Sequence, residues 1–228
     1  MKTILLVGGT HGIGSNIVEQ LKESHKLILA TRSEPSESHQ NIEHITFDAT
    51  KDSLNVDDLP ELDGFVYCPG TINLKPFKMM SLDTFEEDME INFFSLIRVV
   101  KDIMPKMSES GSLVFFSTVA VSNGMPFHTS VAAAKGAIEG FAKSLAAEYA
   151  PKLRVNVIAP SLIDTPLASR LLNNDKKRDS MSERHPLKRV GKPEDIGNIV
   201  SFLLTDKSSW MTGQVIGVDG GISTLNLN

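Results

Sequence analysis

Two textures alternate along the 228-residue chain. The first is a short apolar run. Ile4–Val7, Lys26–Thr31, Ile45–Phe47, Phe65–Tyr67, Leu113–Phe116, Val155–Ile158 and Val215–Val218 are of this kind. These runs are apolar on both faces, as parallel strands buried between two helical layers should be. The second texture is longer and helix-like: Ile13–Glu23, Leu82–Met107, Ala132–Tyr149 and Pro193–Leu204. The last opens on Pro193, Glu194 and Asp195; proline suits a first helical turn, and acids there favour the helix N-terminus. Strand and helix in alternation predict an α/β fold, a doubly wound parallel sheet of about seven strands with helices on both faces.

Two stretches interrupt the alternation. Ser33–Gln40 is polar and reads as a loop. Ser161–Val190 mixes Leu162, Ile163, Leu167, Leu171, Leu172 and Met181 with the charged run Asp175–Asp179. A half-apolar excursion of that length predicts a substrate lid over about 161–190, the alternative being a surface excursion with a short helix. The length suits a single domain, 1–228, at ~100–200 residues per domain. With 41% hydrophobic and 22% charged residues, the composition excludes a disordered tail, a collagen-like fibre and a disulfide scaffold. A net charge of −5 gives no attraction to phosphate backbones, so nucleic acid is not an expected partner. Cys68 is the only cysteine, which fits a reducing compartment. The opening MKTILLVGGT is too short for a signal-peptide core, and no apolar run approaches the ~20 residues of a membrane span. A cytoplasmic protein with neither membrane contact nor metal is expected.

The first strand runs into Gly8-Gly9-Thr10-His11-Gly12-Ile13-Gly14 and then a helix. Glycines here let the chain turn sharply, admit a pyrophosphate close to the backbone and pack a helix on the sheet. The helix N-terminus adds unpaired N–H groups and a partial positive charge. A plain tight turn is the alternative. The spacing Gly8-x-x-x-Gly12-x-Gly14 resembles the signature of the short-chain dehydrogenase/reductase family, with Val7 where that family usually has threonine. The resemblance implies a Rossmann-type domain with Gly8, Thr10, His11, Gly12, Ile13 and Gly14 around the cofactor's phosphates. At the end of the second strand, Ala30-Thr31-Arg32-Ser33 has no carboxylate but has a guanidinium. An acid there would bind the ribose 2′-hydroxyl of NAD, and an arginine accommodates the 2′-phosphate of NADP, so NADP(H) is the expected cofactor. Glu34 and Glu37 soften the field of Arg32, which otherwise reads as a solvated loop charge. Asp48 resembles the family's adenine-contacting aspartate; the local alternative is a turn or helix-cap residue.

After the fourth strand, the family's Asn-Asn-Ala-Gly is here Tyr67-Cys68-Pro69-Gly70. Gly70 keeps the permissive backbone, Pro69 removes an N–H, and Cys68 reads as a small buried residue. The missing asparagines imply a cofactor pocket supported in another way. Asn92, in Ile91-Asn92-Phe93-Phe94, matches the family's water-holding asparagine. Seventeen residues before Lys135 stands Thr118, the family's carbonyl-orienting position, with Ser117 the close alternative. Four residues before Lys135 the family has its proton-donating tyrosine; this chain has Val131. That spacing puts both positions on one helical face, and valine carries no proton. Ser130, His128, Thr118 or a water on Lys135 are the candidate replacements.

Further on, Pro160, Ile163 and Thr165 match positions that touch the nicotinamide end, with Ser161 where glycine is usual. Arg189–Ile196 and Trp210–Gly221 follow the family's C-terminal pattern. The resemblance spans Lys2 to about Ser223 and is nearest to the 3-oxoacyl-carrier-protein-reductase-like members. It implies an NADPH-dependent oxidoreductase for a carbonyl, a small molecule or acyl thioester, or else a silent nucleotide-binding paralogue. Small residues along Ala132–Tyr149 (Ala132, Ala133, Gly136, Ala137, Gly140, Ala146, Ala147) resemble the family's helix-on-helix interface and imply a homo-oligomer, dimer or tetramer.

Overall fold

The computed structural model describes residues 1–35 and 38–226; Glu37 lies outside them. Seven parallel strands form one sheet in the order β3-β2-β1-β4-β5-β6-β7. They are β1 Thr3–Val7, β2 Lys26–Thr31, β3 Ile42–Thr46, β4 Leu62–Tyr67, β5 Met107–Phe116, β6 Leu153–Pro160 and β7 Val215–Val218. The chain starts in the middle, winds outward to β3, then returns to lay β4 on the other side of β1. That reversal opens a crevice at the strands' C-terminal ends, where open α/β sheets place ligands.

Strand pleating divides the core in two. Leu5 and Val7 point to one face with Ile28, Phe65, Leu113, Phe115 and Val155, while Ile4 and Leu6 point to the other with Leu27, Leu29, Val66 and Val114. The first face is covered by α3 (Ser95–Ile103) and α5 (Thr129–Tyr149), the second by α1 (Gly12–Leu21) and α7 (Pro193–Leu203). Central strands are buried on both faces, so their runs are uniformly apolar. The edge strand β3 is half-exposed and lies slightly upstream of the expected Ile45–Phe47.

The stretch expected as one helix, Leu82–Met107, is broken. It comprises α2 (Leu82–Met89), a π-turn (Glu90–Phe94) and α3, closed by a 3-10 turn at Met104–Lys106. Met107 already belongs to β5. Pro105 ends the helix because it lacks an N–H for the ladder. In the π-turn, side chains engage the displaced carbonyls. Ser95 Oγ lies 2.7 Å from the Glu90 carbonyl, the Tyr67 hydroxyl 3.0 Å from that of Ile91, and Asn92 Nδ2 donates to that of Asp88 at 2.7 Å. A short α4 (Ala120–Asn123) precedes α5, which begins three residues before the expected Ala132.

The 161–190 excursion is ordered by its own contacts. A 3-10 turn at Pro166–Leu171 leads to α6 (Asp175–Glu183), capped by Asn174 Oδ1 on the Lys177 N–H. Ala168, Leu172 and Val190 form a small apolar cluster beneath it. Its ends are pinned together: Asp164 N donates to the Gly191 carbonyl at 2.8 Å and Gly191 N to that of Leu162 at 3.0 Å. Buried His185 joins Ser161 Oγ (2.9 Å) to the Met181 carbonyl (2.8 Å).

The Phe65 ring is fully buried and meets Tyr67 and Phe115. Phe65→Ala is expected to cost ~3–5 kcal/mol, read as a lower urea midpoint with an unchanged slope.

Candidate active site

The glycine turn is fixed by backbone sterics. Gly8 and Gly12 hold φ of 87° and 57°, and a Cβ on Gly14 would lie 2.1 Å from the Gly8 carbonyl oxygen. Only glycine at residue 14 permits α1 to start this close to β1. No side chain caps the start of α1, and its first turn carries no acid. That end therefore presents orphan N–H groups and the positive pole of the helix. Cys68 and Pro69 pack against Gly8 from one side, and Thr165 packs against Gly12 from the other. Thr10 Oγ1 meets His11 Nδ1 at 3.0 Å. An open, glycine-lined turn at a bare helix N-terminus fits a pyrophosphate.

Arg32 follows β2 as an exposed side chain and makes no ion pair or hydrogen bond with the described residues. Asp48 stands beyond the neighbouring strand. Its Oδ1 accepts from Thr50 N (3.0 Å) and Thr50 Oγ1 (2.7 Å), so the carboxylate organises its own turn. These bonds hold it below the usual carboxylate range.

Across the crevice, α5 delivers Lys135 into the interior with 8% of its surface exposed. Gly70 leaves room for it: a Cβ there would lie 3.4 Å from Lys135 Nζ and 3.2 Å from Asn92 Oδ1. The ammonium has no hydrogen-bond partner among the described residues. Burial brings it down from 10.5 to about 8, with Asp88 opposing the fall. Loss of solvent pushes the Cys68 thiol up to about 12. That keeps it protonated, although the side chain is half-buried rather than buried as the sequence suggests.

Asn92 lies in the π-turn. Its Nδ2 donates to Thr71 Oγ1 (2.8 Å) and the Asp88 carbonyl, while Oδ1 is buried and unpartnered. Thr118 is partly exposed, and its hydroxyl accepts only a long bond from Ala120 N (3.3 Å). Ser117 is instead buried and donates to Glu139. Val131 is buried on the α5 face that carries Lys135. Of the replacement donors, Ser130 is buried and spent on Asp88 Oδ2, and His128 is half-buried with Nδ1 on the Pro126 carbonyl.

A family model described as enoyl-(acyl carrier protein) reductase matches residues 7–223. A 3-oxoacyl-(acyl-carrier-protein) reductase of Rickettsia felis is 30% identical over 97% of the chain and 96% of its own length. The chain belongs to the short-chain dehydrogenase/reductase family. A 37% match to the corresponding reductase of Thermotoga maritima spans 63% of this chain and 58% of that protein. The aldohexose dehydrogenase of Thermoplasma acidophilum superposes with a TM-score of 0.88 at 29% identity, covering 100% of this chain and 96% of that one.

On this short-chain scaffold the structure brings Gly70, Asn92 and Lys135 together. It places the glycine turn at the same crevice, in contact with Thr165. Arg32 and Asp48 stand apart from that cluster, beyond β2 and β3. Pro160 closes β6, and Ile163 bridges to Gly191. Sequence reasoning missed Asp88, Thr71, Asn73 and Glu139. Asp88 is fully buried and accepts from Thr71 Oγ1, Asn73 Nδ2 and Ser130 Oγ. The available signal was its position four residues before Asn92, on the same helical face.

These titrations set opposing pH trends. The unfolded chain keeps the Lys135 proton to 10.5 and the folded chain releases it near 8, so stability rises with pH in that interval. Cys68 works in reverse: the unfolded thiol ionises near 9.0 and the folded one near 12, so stability falls above 9. Urea unfolding from pH 8 to 9 should show a gain in the wild type that Lys135→Met lacks. Above 9 the Cys68 loss offsets the Lys135 gain, so the wild type should level off; Cys68→Ala should let the gain run on toward 10, where the opposing loss from Tyr67 begins, its hydroxyl being pushed from 10.0 up to about 12.

Proposed function

We propose that this protein is an NADPH-dependent oxidoreductase that reduces a carbonyl of the β-ketoacyl class, without the tyrosine that usually donates the proton. The observation that carries the reading is the meeting of Lys135 Nζ and Asn92 Oδ1 at Gly70, beside a glycine turn built for phosphate. The named activities of the curated relatives support the substrate class. When bound, NADPH supplies the hydride. Gly8, Thr10, His11, Gly12, Ile13 and Gly14 hold its pyrophosphate, Arg32 its 2′-phosphate and Asp48 its adenine. Lys135 grips the ribose beside Gly70, and Pro160, Ile163 and Thr165 receive the amide end.

Thr118, just beyond the end of β5, orients the carbonyl, since its hydroxyl has no strong partner. The proton comes from the Lys135 side, where an ammonium titrating near 8 suits a donor at neutral pH. Asn92 Oδ1, an open acceptor beside it, holds the water that resupplies that proton. Residues 161–190 act as the lid. The small residues left open on α5, Ala133, Gly140 and Ala147, form a contact between copies in a homo-oligomer.

Buried Val131 favours a second reading, a nucleotide-binding subunit without turnover. Mixing protein, NADPH and a β-ketoacyl thioester while following the nicotinamide absorbance separates the two. Steady loss of absorbance supports the reductase; tight NADPH binding without loss supports the subunit. Val131→Tyr is expected to raise the rate by ~10²–10⁴-fold, the usual contribution of a positioned acid. No gain in a folded, NADPH-binding variant would mean that the pocket no longer performs the reaction. Arg32→Ala is expected to weaken NADPH binding at least about tenfold while leaving NADH unchanged, the loss of one charge-assisted phosphate contact. Equal losses for both would remove Arg32 from the 2′-phosphate.

A further inference from the structure

We propose that Asp88 is a positioning residue for Lys135: its buried carboxylate is the counter-charge that keeps the ammonium in the dry crevice, without touching it. The carboxylate is fully buried, and every donor bonded to it is neutral: Thr71 Oγ1, Asn73 Nδ2 and Ser130 Oγ. An isolated buried carboxylate needs a cation to balance it, and an isolated buried ammonium needs an anion. Lys135 is the buried lysine of this wall and has no bonded acid.

The groups facing Lys135 can be enumerated. From the end of β4 comes Cys68, a neutral thiol; from α2 comes Asp88; on its own helix Glu139 is taken up by Ser117. Asp88 is therefore the carboxylate left to supply the field. The same residue orients Asn92 twice, through its main-chain carbonyl and through Thr71. It also anchors the start of α5 through Ser130, next to Val131. One carboxylate thus ties the loop after β4, the π-turn and the head of α5 around the lysine. This is a support that the Cys68-Pro69 sequence does not provide. The inference rests on Lys135 being the group that holds the ribose.

The test reads the lysine itself. In ligand-free protein carrying 13Cε-lysine, the Lys135 resonance is assigned by its loss in Lys135→Met and followed against pH. Asp88→Asn is expected to lower its titration midpoint by about one pH unit, as loss of an opposite charge does. Thr71→Val and Ser130→Ala keep the charge but remove a donor. The carboxylate is then less neutralised, and the midpoint should stay or rise. An unchanged midpoint in Asp88→Asn, or a fall in all three variants alike, overturns the proposal. If Asp88→Asn does not fold, a fall in both donor variants overturns it and a rise supports it. NADPH titration of the same samples is a separate readout. A lysine that responds as stated in a protein that binds no NADPH sinks the proposed function and leaves the role of Asp88 standing.

Discussion

The arrangement depends on keeping one ammonium inside the crevice at the C-terminal ends of the central strands. Water would solvate that charge far better than protein does. The surrounding residues answer the cost in separate ways. Gly70 keeps a side chain out of the space between Nζ and Asn92 Oδ1. Asn92 turns an open carbonyl oxygen toward the same space. The π-turn that carries Asn92 exists because Ser95, Tyr67 and Asn92 itself engage carbonyls that a regular helix would have used. A local irregularity of the backbone is thus stabilised by, and in turn fixes, the polar lining of the crevice.

The sheet was legible because its central strands are buried on both faces, and burial writes itself into the sequence as unbroken apolar runs. The edge strand β3 was read less well, because Ile42–Thr46 faces solvent in part and alternates with Glu43 and His44. The break in Leu82–Met107 was hidden for a different reason. Helical periodicity continues through the π-turn, while what opens it is a set of contacts with Tyr67 on a distant strand. Pro105 was the visible sign that the helix had to stop. α6 buries none of its residues, so it carries no apolar stripe for a pattern to reveal.

The same distinction governs the site. The glycine turn is a contiguous constraint: the approach of Gly14 to Gly8 needs no residue from elsewhere, so the sequence announces it. Asp88 gains its meaning only when Thr71 and Asn73 from the loop after β4 and Ser130 from α5 converge on it. Its place four residues before Asn92 hints at a shared face but not at these partners. Val131 lies between these cases. Its identity is plain from the chain, yet its consequence depends on which hydroxyls the fold leaves unengaged.

That last point narrows the chemistry on the proposed reading. Of the hydroxyls offered as carbonyl-orienting or proton-donating groups, two are committed to carboxylates: Ser117 to Glu139 and Ser130 to Asp88. Thr118 is held by nothing stronger than a 3.3 Å contact from Ala120. With valine in the position of the usual acid, the proposed site offers a carbonyl oxygen the Thr118 hydroxyl and an ammonium whose burial has moved it toward neutral pH. Two functions that a tyrosine would combine, binding the oxygen and yielding the proton, then fall to separate residues. On the proposed reading such a site tolerates the valine as long as the lysine stays charged, and the proposed role of Asp88 then lies in its field as well as its hydrogen bonds.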